Sequence, residues 1–180
     1  MIYIANKRRK LSRIENQYPG AYILDVTSSS GIEEVKILSP FYPHGNIPIP
    51  GESRGMTSMS VEGIWQGLKV FESEGICMES FRNDTMKNIK RTTKAHGHLI
   101  GHQYGVFGEQ ILSYLDARNK IYLPAYLWVF KNIESVKALI ARLKNFSQTN
   151  DIVLLDYTTN TNPLDIRSPL SHAGLLKLYI

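Results

Sequence analysis

The chain has 180 residues, 43% hydrophobic and 21% charged, close to the globular average and enough to bury one sizeable core. Its longest apolar run, IYLPAYLWVF at 121–130, is about half the ~20 residues a membrane helix requires and contains Pro124, which excludes a transmembrane span. A single cysteine, Cys77, excludes an internal disulfide framework and a self-sufficient structural zinc site.

The net charge of +5 and pI near 9.3 point to an anionic partner: a phosphate-bearing substrate or nucleic acid. Part of the excess sits at Lys7, Arg8, Arg9 and Lys10, where a solvated arm over residues 1–20 is the plainer expectation. The opening MIYIANKRRKLSR places its charges after the apolar residues, the reverse of a secretory signal, so a cytoplasmic location is expected.

In chain order, residues 2–5 read as a short edge strand and Ala21–Thr27 as a buried strand. Glu34–Leu38 alternates well enough for a second strand, and a hairpin between the two is expected across Ser28–Gly31. From Ser39 to Gly55, Pro40, Pro43, Pro48 and Pro50 join three glycines, so neither helix nor central strand persists. Long irregular loops inside compact domains are usually functional.

A helix is expected over Met59–Phe71, capped by Ser58 or Ser60. Glu62, Gln66 and Lys69 at i, i+4 and i+7 share one polar face, opposite a stripe of Val61, Ile64, Trp65, Leu68 and Phe71. The polar face is expected to meet a cleft or water. A loop fills 73–90, with a helix starting near Asp84, and Lys87, Lys90, Arg91 and Lys94 form a second basic cluster, read as a solvated face.

His96, His98 and His102 have suggestive spacing, but glycines weaken any helix there and no nearby acid or cysteine completes a ligand set, so no metal is expected. Gly108–Tyr126 reads as helical up to Pro124, and a main core helix runs from about Leu123 to Phe146. Ile152–Tyr157 fits a buried strand, Thr158–Pro169 is irregular, and Ser171 caps a short terminal helix. The fold class expected is α+β: a mainly helical single domain, 1–180, with a few short strands.

Three polar stretches are expected to converge: the SPFYPHG loop, the Glu62 face and the segment from Thr158 to His172. LSPFYP at 38–43 followed by SVEGIWQGLK at 60–69 resembles the NADAR (YbiA-like) family, whose pattern runs as LSNFYP and then S-x-E-H-x-x-Q-x-x-K. The similarity extends more weakly to HLIGHQYG, DYTTNTNPLD and SHAGLL. Gly63 stands where the motif has histidine, Pro40 where it has asparagine, and His102 where arginine is usual.

The resemblance implies a YbiA-like fold and an N-glycosidase that hydrolyses the bond between a base or amine and a ribose phosphate. Activities of that family include riboflavin-pathway intermediates and ADP-ribose on guanine in nucleic acid. It implies Glu62 as the essential carboxylate and Gln66, Lys69, Ser39, Phe41 and Tyr42 as pocket residues. Asn160, Asn162 and Asp165 are candidates for the late acidic motif, and His172 for a proton donor. No metal or cofactor is implied, and the partner is a nucleotide-like or ADP-ribosylated substrate. The alternative expectation is a non-catalytic nucleotide or ADP-ribose binding module with the same pocket.

Overall fold

Strand formation is strongest where the apolar run is unbroken, at IVLLD, and this segment becomes the central strand of a parallel sheet. The computed structural model describes all residues, Met1–Ile180. In order the elements are β1 (Ile2–Asn6), α1 (Leu11–Gln17), β2 (Tyr22–Asp25), a 3-10 turn (Glu33–Leu38), β3 (Ile47–Pro48), β4 (Thr57–Ser58), α2 (Val61–Gly67) and β5 (Lys69–Phe71). There follow α3 (Met78–Arg82), α4 (Thr93–His96), β6 (Leu99–Gln103), β7 (Ile111–Leu112), α5 (Tyr114–Ala117), a π-helical turn (Arg118–Tyr122), α6 (Leu123–Asn132), α7 (Glu134–Ser147), β8 (Ile152–Asp156) and α8 (His172–Lys177). The class is α+β with short strands, as expected. Two compact units divide the chain, Met1–Ser39 with Glu134–Ile180, and Pro40–Ile133. No helix is long and apolar enough to cross a membrane.

In the first unit β8 lies between β1 and β2, parallel to both, with Leu154 opposite Ile4 on one side and Leu24 on the other. Ala5 and Val153 share a cluster with Ile14 of α1. Helix α7 buries Val136, Leu139, Ile140 and Leu143, one stripe at helical spacing, and packs on the 3-10 turn. The hairpin between residues 21–27 and 34–38 does not form. Residues 33–38 coil instead, because Val35 and Leu38, three apart, are both buried, a spacing a 3-10 turn aligns and a strand opposes. Residues 1–20 are not a trailing arm: they supply β1 and α1, and Lys7 ion-pairs with Asp25 while donating to Thr27 Oγ1 at 2.9 Å and Ser29 Oγ at 2.7 Å.

The second unit holds an antiparallel sheet, β5-β6-β7, and the pair β3-β4. Helix α2 packs against α3, α6 and the π-helical turn. The α2–α3 approach is close at Gly67, where a Cβ would lie 2.3 Å from Phe81 Cε1. No helix starts at Asp84; the nearest is α3, starting at Met78. Residues 108–113 are not helical but enter β7. The long helix over 123–146 is two helices: Pro124 sits in the first turn of α6 as expected, and Ile133 takes extended backbone at φ −93°, ψ 111° and ends it.

Candidate functional site

Ser60 begins the site. Its extended backbone lets Oγ accept from the Gly63 amide at 2.9 Å, satisfying one orphan donor of the first turn of α2. Ser58 is not the cap; its hydroxyl donates to the Ser60 and Phe81 carbonyls at 3.0 and 3.1 Å. Glu62 follows in that first turn, where a carboxylate is favoured by the helix dipole. The Glu62 amide donates to the Pro40 carbonyl at 2.8 Å, which pins the proline-rich loop to the helix start. Phe41 and Tyr42 next to Pro40 are half-buried, with Lys90 Nζ 5.5 Å from the Phe41 ring centroid and the Tyr42 ring 4.8 Å from that of His44. The loop and the Glu62 helix are therefore brought together.

Gln66 lies one turn beyond Glu62 and is fixed at both ends of its amide. Nε2 donates to Glu62 Oε1 at 2.7 Å, and Oε1 accepts from the Arg91 amide at 2.8 Å. Lys69 Nζ donates to the Arg91 carbonyl at 2.9 Å. Burial pushes the Lys69 ammonium below its ordinary pKa, with Arg91 and Lys90 adding to the fall and Glu62 opposing it. The side chain of Arg91 donates to three backbone carbonyls, those of Gln66 at 3.2 Å, Lys69 at 2.7 Å and Gly75 at 2.8 Å.

Three expectations are corrected here. Helix α2 stops at Gly67 and Lys69 belongs to β5, so the three polar residues do not share one helix face. Nor is that face open to water, since Glu62 is 8% exposed and Gln66 4%. Arg91, expected in a solvated basic cluster, is 5% exposed and holds the strand after α2 in place. Nothing local marks it, because its partners lie 16 to 25 residues away. A cavity of about 240 Å³ in the same unit is lined by Glu74, Cys77, Glu79, Asn83, Lys90 and His96, among others, but not by Glu62, Gln66 or Lys69.

The remaining sequence candidates belong to the first unit. Ser39 is buried and closes the 3-10 turn, its amide donating to the Lys36 carbonyl at 2.9 Å. Asn160 donates to the Asp165 and Ser168 carbonyls at 2.8 and 3.0 Å and accepts from the Asn162 amide at 3.0 Å. Asn162 accepts from the Leu164 amide at 3.0 Å, and Asp165 takes Arg167 in a two-pronged pair at 2.9 and 2.8 Å. These side chains build the loop that carries them. His172 has both ring nitrogens engaged, Nδ1 with Asp156 Oδ2 at 3.0 Å and Nε2 with the Val26 carbonyl at 2.9 Å.

Residues 6–176 match a family of unknown function, DUF6939, and the chain belongs to that family. No curated protein matches it.

Proposed function

We propose that the chain is a cytoplasmic N-glycosidase, with Glu62 as its essential carboxylate and a nucleotide-like or ADP-ribosylated substrate. The observation that carries this reading is the setting of Glu62: largely buried, in the first turn of a capped helix, with one oxygen held by Gln66 at 2.7 Å and an aromatic loop tied to its own amide. The LSPFYP and SVEGIWQGLK resemblance to the NADAR family supports it independently.

Breaking an N-ribosidic bond builds positive charge on the sugar and leaves electrons on the departing nitrogen. A fixed carboxylate stabilises that charge and accepts a proton from the attacking water. Gln66, clamped between Glu62 and the Arg91 amide, keeps the carboxylate in one orientation. Lys69 and Lys90 add positive charge suited to a ribose phosphate, and Phe41 and Tyr42 offer ring faces to a base.

The test incubates the protein with nucleic acid carrying ADP-ribosylated guanine and with riboflavin-pathway intermediates, and follows released ribose phosphate species. Glu62→Gln is expected to keep its melting temperature and ligand affinity and to lose about two to four orders of magnitude in turnover. Equal turnover overturns the assignment of Glu62. Wild-type binding with no release from any substrate replaces the enzyme with the non-catalytic binding module.

A further inference from the structure

His102, on β6, is 1% exposed, and neither of its ring nitrogens has a hydrogen-bond partner. Its ring centroid lies 3.9 Å from that of Trp65, with the planes 33° apart. Trp65 in turn meets Tyr114 and Tyr122 edge-on at 5.6 and 5.8 Å. The register of β5 and β6 sets His102 opposite Lys69, and residues so opposed project from the same sheet face. The imidazole therefore lies beside Lys69, whose charge reaches it.

Packing alone does not account for a histidine here. A phenyl ring would stack on Trp65 as well and would leave no polar atom buried without a partner, a condition that is rare and costly in native proteins. Burial, with the Lys69 charge adding to it, pushes the His102 pKa down to about 3. The ring is thus neutral near pH 7, with one N–H to donate and one nitrogen to accept. A neutral donor and acceptor beside an aromatic face suits a planar, uncharged heterocycle, whose edge carries both kinds of group.

We propose that His102 is a ligand-reading residue: its unpartnered imidazole hydrogen-bonds the uncharged heterocyclic group of a nucleotide-like ligand, with Trp65 as the adjoining ring face. The proposal rests on the site reading given above but not on catalysis. Trp65, stacked on the ring, is itself only half-buried. Lys69, on the same sheet face, serves the phosphate.

The experiment compares wild type and His102→Phe, using guanosine 5′-monophosphate as the probe with a base and ribose 5-phosphate as the probe without one. Titration is followed by calorimetry and by tryptophan fluorescence in a Trp128→Phe background, which isolates Trp65. His102→Phe is expected to melt at a higher temperature than wild type, to bind guanosine 5′-monophosphate at least about tenfold more weakly, and to bind ribose 5-phosphate unchanged. A variant that is stabilised but binds both probes as wild type does overturns the proposal. So does a destabilised variant, which makes His102 a structural residue, and so does a wild type that binds neither probe. Base-dependent binding lost in His102→Phe, in a protein that releases no ribose phosphate, leaves His102 assigned and removes only the glycosidase.

Discussion

Asp156 and His172 form a buried pair in which each holds the other's charge: Nδ1 lies 3.0 Å from Oδ2, and the same oxygen accepts from the Ser171 hydroxyl at 2.7 Å and the Ala173 amide at 3.3 Å. With Nε2 donating to the Val26 carbonyl, the imidazole ties α8 to the segments that follow β2 and end β8. Burial by itself would push His172 down, but the bond and charge of Asp156 outweigh it and hold the imidazole above its ordinary value of 6.5. Burial likewise raises Asp156, and the His172, Ser171 and Ala173 bonds outweigh that and hold it below its ordinary 3.8.

A pH dependence follows from the two directions. The His172 contribution is fully present below pH 6.5, where folded and unfolded chains are both protonated, and is lost as pH rises through the folded pKa. The Asp156 contribution is present above pH 3.8 and is lost as pH falls through its folded pKa. The pair stabilises most between these values, and above pH 6.5 it loses stability by at most about 1.4 kcal/mol per pH unit. Urea unfolding from pH 5 to 9 checks this: the difference between wild type and His172→Gln should shrink with rising pH. A constant difference would mean that the imidazole is uncharged.

Gly63 departs from the motif the sequence resembles, and the backbone around it explains why glycine stays. A Cβ there would lie 2.6 Å from the Ser80 carbonyl oxygen in α3 and 2.8 Å from Ser58 Oγ at the end of β4, which is itself bonded to the Ser60 and Phe81 carbonyls. Gly63→Ala gains about 1 kcal/mol of helix propensity, but a clash with backbone costs more. The expected net is a loss of about 1 to 3 kcal/mol by chemical denaturation, and Gly63→His, with a larger side chain at the same contact, should lose at least as much. A neutral or stabilised Gly63→His would show that α2 and α3 separate readily.

The strands at 22–25 and 152–156 are legible in the sequence for different reasons: the second is buried and reads as an unbroken apolar run, whereas the first is an edge strand with Tyr22 exposed, not the buried strand expected, and is marked by strand-prone residues before a polar turn. Their partners are not legible, since nothing in IVLLD says that it pairs in parallel with residues 2–6, about 150 positions away. Apolar spacing also continues through breaks that only backbone angles record. The run of threes and fours across Ile133 hides the end of α6, and the i+7 position of Lys69 hides the end of α2 at Gly67. The caps Ser60 and Ser171 are readable because a cap is a contact three residues long. In the candidate site, the contact between Glu62 and Gln66 is readable from their i, i+4 spacing. Arg91 is not, because burial through three carbonyls turns a surface residue type into an internal brace.

The Gln66 amide bonds both Glu62 and the Arg91 backbone, and its chemistry can be inverted with almost no change in shape. Gln66→Glu replaces the donor that meets Glu62 Oε1 at 2.7 Å with a second carboxylate, while the oxygen that accepts from the Arg91 amide at 2.8 Å is kept. Two buried carboxylates that close cannot both stay ionised, so one must take up a proton or the contact must open. At pH 8 the variant is expected to be about 3 to 5 kcal/mol less stable than wild type, the range for a buried charge left uncompensated. Acidification restores it, because a carboxyl whose proton affinity is raised in the folded state contributes stability that is present at low pH and lost as pH rises. Unfolding curves at pH 5 and pH 8 should therefore show Gln66→Glu converging on wild type at the lower value. A penalty equal at both pH values would place Glu62 in water-accessible surroundings, contrary to its burial.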